Sequence, residues 1–256
     1  TKSDADRVGL QHRLAGLARA SGQQTAAIDA YEAIAAADPT DPDPLEALVE
    51  MLEDGDPAKQ CDALERWATR LPATSPERGE ALIRAARMCA GPLNAPDRAA
   101  AHYLQAFDLN PTDDEAFHFV ERHAAGNPTQ LQRLYRRRAE GVAAGPARVV
   151  VLRKLANVCV ELGKTGEARA ALETALASDE RNEVLQRELI GICEDANDVA
   201  GFQRAATHRL KFDVPRVERV MLVRKLARHA VEQGQPADQW LDELKLLAPD
   251  DPERSA

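Results

Sequence analysis

The chain contains 256 residues, of which 44% are hydrophobic but only 4% aromatic, and its 42 acidic and 33 basic residues give a net charge of −9. This acidity argues against a general nucleic-acid binder, because such affinity comes largely from neutralising phosphates. No apolar run approaches the roughly 18 residues that a membrane span needs, and the first residues, TKSDADRVG, lack the hydrophobic region of a secretion signal. We therefore expect a soluble, cytoplasmic protein.

Periodic apolar segments, separated by proline and glycine, predict helices without strands along the whole chain. In chain order, the apolar patterns of seven predicted first helices start at Gln11, Leu45, Ile83, Ala116, Leu152, Gln186 and Val223. Three of these helices lead to a turn glycine, at Gly22, Gly163 and Gly234. Prolines suited to the start of a helix stand at Pro44, Pro76, Pro96, Pro128, Pro146, Pro215 and Pro236. The pattern predicts an all-α fold built from antiparallel helix pairs.

The predicted second helices share a spacing in which an alanine is followed by a bulky residue, then a small or aliphatic residue, then a proline. The copies are Ala27/Tyr31/Ile34/Pro39, Ala99/Tyr103/Ala106/Pro111, Ala168/Leu172/Ala175/Glu180 without the proline, and Ala237/Leu241/Leu244/Pro249. The four alanines are 72, 69 and 69 residues apart. This interval is about twice the ~34-residue period of a tetratricopeptide array.

Residues 8–251 resemble the tetratricopeptide repeat family through these motifs and the turn glycines. The sequence departs from the family where the aromatic residue that often opens a first helix is absent and where alternate second helices lack the motif. The resemblance implies an α-solenoid, a right-handed superhelix of antiparallel helix pairs, with a single repeat domain over residues 1–256. The expected repeats are 8–41, 42–75, 76–111, 112–145, 146–180, 181–214 and 215–251.

Similar proteins are mostly non-enzymatic adaptors whose concave groove, lined by first helices, holds a partner peptide or helix. The positions expected to face this groove carry Arg153, Asn157, Arg187, Arg224 and Arg228, with Arg84 on the same basic side and Glu46 and Glu50 at an acidic start. Arg153/Asn157 and Arg224/Arg228 resemble a carboxylate clamp for the end of a chaperone tail, since arginine suits a carboxylate. Glu188 stands near the place of the clamp's middle asparagine, so a general acidic peptide, or charges solvated without any ligand, are alternatives.

Other candidate sites lack the required spacing. The arginines from Arg133 to Arg138 surround a helix instead of forming one stripe, which argues against a nucleic-acid site. His118 and His123 do not share a helix face, so they do not form a metal pair. The four cysteines are too far apart for a metal knuckle and are expected to be free thiols that pack as small hydrophobes. We expect no cofactor, no metal site and no enzymatic activity.

Two other roles remain as alternatives. The chain begins with threonine, and Pro252 follows Asp251 as though another helix started there, so we expect a fragment of a larger protein. Such a fragment would be the regulatory or sensory arm of an enzyme or transcription regulator. An uncovered end repeat would instead promote self-association into dimers or filaments. The excess of arginine over lysine, 26 to 7, together with abundant alanine is typical of a GC-rich bacterial genome.

Overall fold

The computed structural model describes residues 2–248, and side chains from residue 9 onward. This part of the chain contains fourteen α-helices and no strand. The helices are α1 (Lys2–Ala20), α2 (Gln24–Ala37), α3 (Asp43–Met51), α4 (Pro57–Arg70), α5 (Pro76–Ala90), α6 (Pro96–Leu109), α7 (Asp114–His123), α8 (Pro128–Gly141), α9 (Pro146–Glu161), α10 (Thr165–Ser178), α11 (Glu183–Asp195), α12 (Val199–Arg209), α13 (Arg216–Glu232) and α14 (Asp238–Leu247). The predicted all-α solenoid fold class is confirmed. Between residues 2 and 248, no helix has both the length and the apolar character that a bilayer crossing requires.

Local sequence explains where many helices begin. Short polar side chains accept a hydrogen bond from the first helical turn, and they are Asp56, Ser75, Asp113, Asn127, Asn182 and Asp198. A proline near the first helical position, where its missing N–H costs nothing, opens α3, α4, α5, α6, α8 and α9. Two of the predicted starts differ, because Pro215 precedes α13 as its cap residue and Pro236 lies ahead of α14.

The chain divides into two compact units, residues 1–126 and residues 127–256. In unit 1, α1 to α7 pack in chain order, each helix against the next. In unit 2, α8 to α14 do the same. The division falls between α7 and α8, inside the predicted repeat 112–145. A single domain over 1–256, with the repeat bounds given above, stays a prediction.

The motif alanines of the second helices are the points of closest packing. Ala27, Ala99 and Ala168 have no exposed surface, and Ala237 is 9% exposed. The residues seven positions later share that helix face and are also buried, namely Ile34, Ala106, Ala175 and Leu244. Pro249, at the end of the fourth copy, lies outside the described residues. Small side chains at these positions let each second helix approach its neighbours.

Most of the turns that join two paired helices contain a left-handed residue. Gly22, Gly163 and Gly234, the three predicted turn glycines, have φ of +74°, +70° and +64°. Gly126, after α7, has φ of +89°, and in the turns after α5 and α11 Asn94 and Asn197 have φ of +46° and +51°. Asparagine tolerates this conformation better than other non-glycine residues. The predicted turn glycines therefore missed three turns of the same kind.

Candidate binding cleft

The side chains predicted to face a groove all lie on first helices. Glu46 and Glu50 are on α3, Arg84 on α5, Arg153 and Asn157 on α9, Arg187 on α11, and Arg224 and Arg228 on α13. Arg84 and Arg224 are half-buried, and the other six are exposed. The structure places these residues in two sets, with α3 and α5 in unit 1 and α9, α11 and α13 in unit 2.

Two of the predicted arginines are already engaged by carboxylates of the following repeat. Arg153 donates from two nitrogens to Glu188 Oε1, at 2.8 and 2.5 Å. Arg187 donates to both oxygens of Glu218, at 3.2 and 2.8 Å. Paired hydrogen bonds of this kind satisfy the guanidinium and compensate its charge. A partner that binds Arg153 or Arg187 would compete with these carboxylates.

The same kind of contact joins neighbouring repeats throughout each unit. On first helices the pairs are Arg19–Glu50 at 2.7 Å, Arg87–Glu115 at 2.5 Å and Lys225–Glu194 at 2.6 Å. On second helices they are Arg66–Glu32, Arg98–Glu65, Arg136–Glu167 and Arg169–Asp198. The partners are about one repeat apart in sequence, so the period of the array brings opposite charges together. Much of the exposed charge therefore links repeats.

A fully buried arginine takes part in this network in unit 2. Arg209 on α12 donates to Glu218 Oε1 at 3.1 Å and to Gln186 Oε1 at 3.2 Å. The hydrogen bond from Arg187, with that from Arg209, outweighs burial and lowers the pKa of Glu218 to about 2. The sequence gives no local sign of this role for Arg209, because its partners are 9 and 23 residues away.

A cleft of about 610 Å³ lies between α5, the residues just before it, and the end of α6. Its apolar lining includes Ile83, Ala106 and Leu109, and its polar lining includes Glu80, Arg84, Arg87 and Asn110. Arg84 is thus the predicted binding residue that lies at a sizeable cavity of unit 1. The apolar lining of the cleft can contact an apolar side chain of a partner, and the guanidinium of Arg84 can bind a carboxylate.

Arg87, which lines the cleft, and Tyr103 both bind the carboxylate of Glu115 on α7. Arg87 Nε and one terminal nitrogen donate to the two oxygens of Glu115, at 2.9 and 2.5 Å. Tyr103 donates its hydroxyl to Glu115 Oε1 at 2.6 Å. The hydrogen bond from Arg87 outweighs burial and lowers the pKa of Glu115. Arg87 stands at an apolar position of the pattern predicted from Ile83, yet it is exposed. The reason is that the buried face of α5 contains Leu82, Ala85 and Cys89, one residue before the predicted positions.

A smaller cleft of about 220 Å³ in unit 2 includes Arg228. Lys225 and Glu194 form an ion pair at 2.6 Å within its lining, and Phe202 and His229 contribute aromatic rings. Arg224 is not among the lining residues. The role of Arg224 and Arg228 as a pair stays a prediction.

One supersecondary unit, a pair of helices, recurs along the chain. Its features are the buried motif alanines and the left-handed residues in the turns. This is the arrangement that the tetratricopeptide resemblance predicts. No protein-family model matches the sequence, and no curated protein matches it.

Solved structures that match this chain include the MamA protein, PilF and YrrB. The MamA protein is 18% identical, with a TM-score of 0.37, and the match covers 69% of this chain and 94% of that one. PilF of Pseudomonas aeruginosa is 13% identical, with a TM-score of 0.29 and coverage of 99% and 97%. YrrB, described as a TPR protein with an unusual peptide-binding site, is 13% identical, with a TM-score of 0.38 and coverage of 76% and 97%. These likenesses concern the fold.

Proposed function

We propose that this protein is a non-enzymatic interaction scaffold that captures a short partner segment in the cleft between α5 and α6. The observation that carries the proposal is the cleft itself, whose volume of about 610 Å³ is large enough for one or two side chains of a peptide. Recognition of an extended or helical segment by a few anchoring side chains is a common way in which helical surfaces bind proteins.

The lining of the cleft defines the chemistry of the segment. Ile83 and Leu109 offer apolar contact, so the segment carries an aliphatic side chain at its anchor position. Arg84, on the same helix turn as Ile83, favours a carboxylate next to that anchor. Arg87 is shared with Glu115, which makes Arg84 the better donor to a partner. Glu80 disfavours a second acidic residue on its side of the cleft.

The remaining predicted residues contribute less to this proposal. Arg153 and Arg187 are held by Glu188 and Glu218, so a partner gains from them only by displacing a bidentate pair. Glu50 is likewise bound to Arg19. Their role in binding, together with that of Asn157, Arg224, Arg228 and Glu46, stays a prediction.

A selected peptide tests the proposal directly. Peptides that bind the purified chain are selected from a random library, and the affinity of a labelled peptide is measured by fluorescence anisotropy. We expect the selected sequences to pair an aliphatic with an acidic residue. Arg84→Ala should weaken binding about tenfold, the loss typical of one charge-assisted hydrogen bond. Ile83→Asp should weaken it further, and added salt should weaken it in the wild type.

Arg122→Ala is the matched control, because Arg122 is an exposed arginine of the same unit that does not line the cleft. Its affinity for the peptide should equal that of the wild type. Equal binding by wild type, Arg84→Ala and Ile83→Asp would refute the cleft as the site. Weaker binding in Arg187→Ala alone would move the site to the residues of unit 2.

A further inference from the structure

Helices α4, α5 and α6 of unit 1 bring together a cluster that the interaction function does not use. Cys61 on α4 and Cys89 on α5 are both fully buried, and their Sγ atoms are 3.4 Å apart. One carboxylate oxygen of Glu65, a turn after Cys61, completes a group in which all three ligand atoms lie within 4.8 Å of one another. We call Cys61, Cys89 and Glu65 the thiol cluster.

We propose that the thiol cluster binds a thiophilic divalent metal ion of the zinc class. Two thiolates and one carboxylate are a donor set that zinc accepts, and a fourth position remains for water or another small ligand. Two sulfur ligands about 2.3 Å from a tetrahedral ion lie roughly 3.8 Å apart. The observed 3.4 Å is close to that separation, so little movement of α4 against α5 is needed.

Arg98 and His102, both on α6, hold the carboxylate of the thiol cluster in place. Arg98 donates to the two oxygens of Glu65 at 2.8 and 2.6 Å. The buried imidazole of His102 lies with Nε2 2.6 Å from Glu65 Oε1, and because an ionised carboxylate only accepts, the imidazole donates. Although burial raises the pKa of Glu65, these two hydrogen bonds lower it below the ordinary value. Such support from surrounding groups is typical of metal-ligating side chains.

The charges of the site balance when a divalent ion is bound to the ionised ligands. Two thiolates and Glu65 carry three negative charges, and Arg98 with a divalent ion carries three positive charges. Burial raises the pKa of the Cys61 thiol to about 12, so this thiol stays protonated without a metal. Binding of the ion therefore displaces the proton of Cys61.

The carboxylate lies at the edge of the cluster and the thiols lie in the core. The side chain of Glu65 is 27% exposed and that of Arg98 is 47% exposed, whereas Cys61 and Cys89 are fully buried.

Cobalt(II) serves as a spectroscopic probe for the test. The full chain, kept reduced with a phosphine and freed of metal, is titrated with cobalt and then with zinc. We expect one equivalent of cobalt to bind with the absorption of a tetrahedral thiolate complex, and zinc to displace it. Cys61→Ala and Cys89→Ala should each weaken binding by at least about 100-fold, and Glu65→Gln by about tenfold.

Cys159→Ala is the control, because Cys159 is an equally buried thiol of unit 2 that is not part of the cluster. It should bind cobalt as the wild type does. X-ray absorption of the zinc-loaded wild type, which depends on no variant that has to fold, should show two sulfur ligands. Absence of stoichiometric binding by the reduced wild type, or a spectrum that persists in both Cys61→Ala and Cys89→Ala, would overturn the proposal.

Discussion

The thiol cluster of unit 1 has a counterpart in unit 2 with the same framework and different chemistry. Two repeats further along the chain, helices α8, α9 and α10 occupy the places of α4, α5 and α6. Four positions correspond at intervals of 69–71 residues, namely Cys61 with Gln132, Glu65 with Arg136, Cys89 with Cys159, and Arg98 with Glu167. One thiol has become an amide, and the ion pair has reversed its polarity.

The two versions arrange their polar groups in different ways. In unit 2, Gln132 donates to Glu167 at 2.6 Å and accepts from Lys164 at 2.8 Å, and its nitrogen lies 3.4 Å from the sulfur of Cys159. In unit 1, the two thiols face each other, and a thiol is only a weak hydrogen-bond donor and acceptor. The helix-pair repeat therefore accommodates either set of polar side chains. The chemistry at these positions depends on which side chains the repeat carries.

Transfer of the thiol cluster residues to unit 2 should have the largest effect, a change in the number of metal ions that the protein binds. The quadruple variant Gln132→Cys, Arg136→Glu, Glu167→Arg and Ala171→His places the counterparts of Cys61, Glu65, Arg98 and His102 around Cys159. We expect its cobalt stoichiometry to rise from one to two equivalents, since the backbone framework is shared. A titration that still ends at one equivalent would show that the two frameworks are not interchangeable.

Removal of apolar packing next to the two clusters should cost similar stability in both units. Leu64 and Tyr135, the residues just before Glu65 and Arg136, are both buried. Each change to alanine should lower the free energy of unfolding by about 2–5 kcal/mol, the usual cost of a cavity in a core. Urea denaturation measures the loss, and Leu246→Ala, at a position 83% exposed, is the control. A large loss in only one unit would indicate that the two cores differ in packing.

Metal affinity at the thiol cluster should rise steeply with pH. Cys61 has a pKa of about 12 in the metal-free protein because it is buried, so at lower pH its proton competes with the metal. Affinity for zinc should therefore increase at least about tenfold for each unit of pH between 6 and 8. Competition titrations against a chelator of known affinity measure this slope. A flat profile would argue against thiolate ligands.

Reversal of the ion pair in unit 1 should have the smallest effect on stability. The double variant Glu65→Arg and Arg98→Glu copies the polarity of Arg136 and Glu167. The exchange of the ion pair itself should change the free energy of unfolding by no more than about 1 kcal/mol, as expected for a partly exposed pair. The buried His102 loses its acceptor in this variant, which should add a loss of about 1–3 kcal/mol. Glu65→Arg alone should be less stable than the double variant, because it leaves two arginines side by side. Equal stability of the single and double variants would indicate that the pair is not coupled.

Much of the fold was predictable because its signals are local. The apolar period, the start prolines and the motif alanines at Ala27, Ala99 and Ala168 each depend on residues within a few turns of one another. Gly22, Gly163 and Gly234 mark turns for the same reason. Asn94 and Asn197, which take the left-handed conformation without being glycine, lack so strong a signal.

The candidate sites were less predictable, because their contacts join residues about one repeat apart. Arg84 was identified from its helix face and does line a cleft. The same reasoning placed Arg153 and Arg187 towards a partner, whereas Glu188 and Glu218 engage them. The four cysteines are free, buried thiols as predicted, but no local pattern indicates that Cys61 and Cys89, 28 residues apart, meet.

The amino-acid sequence by itself determined the helix pairs, their period and the alanine-lined contacts, since these follow from short-range periodicity and from the size of side chains. Only the tertiary structure decided which charges are neutralised, where a cleft opens and which thiols touch. The physical reason is that a helix face specifies a direction, while the atom found in that direction belongs to a neighbouring repeat whose distance and rotation depend on packing.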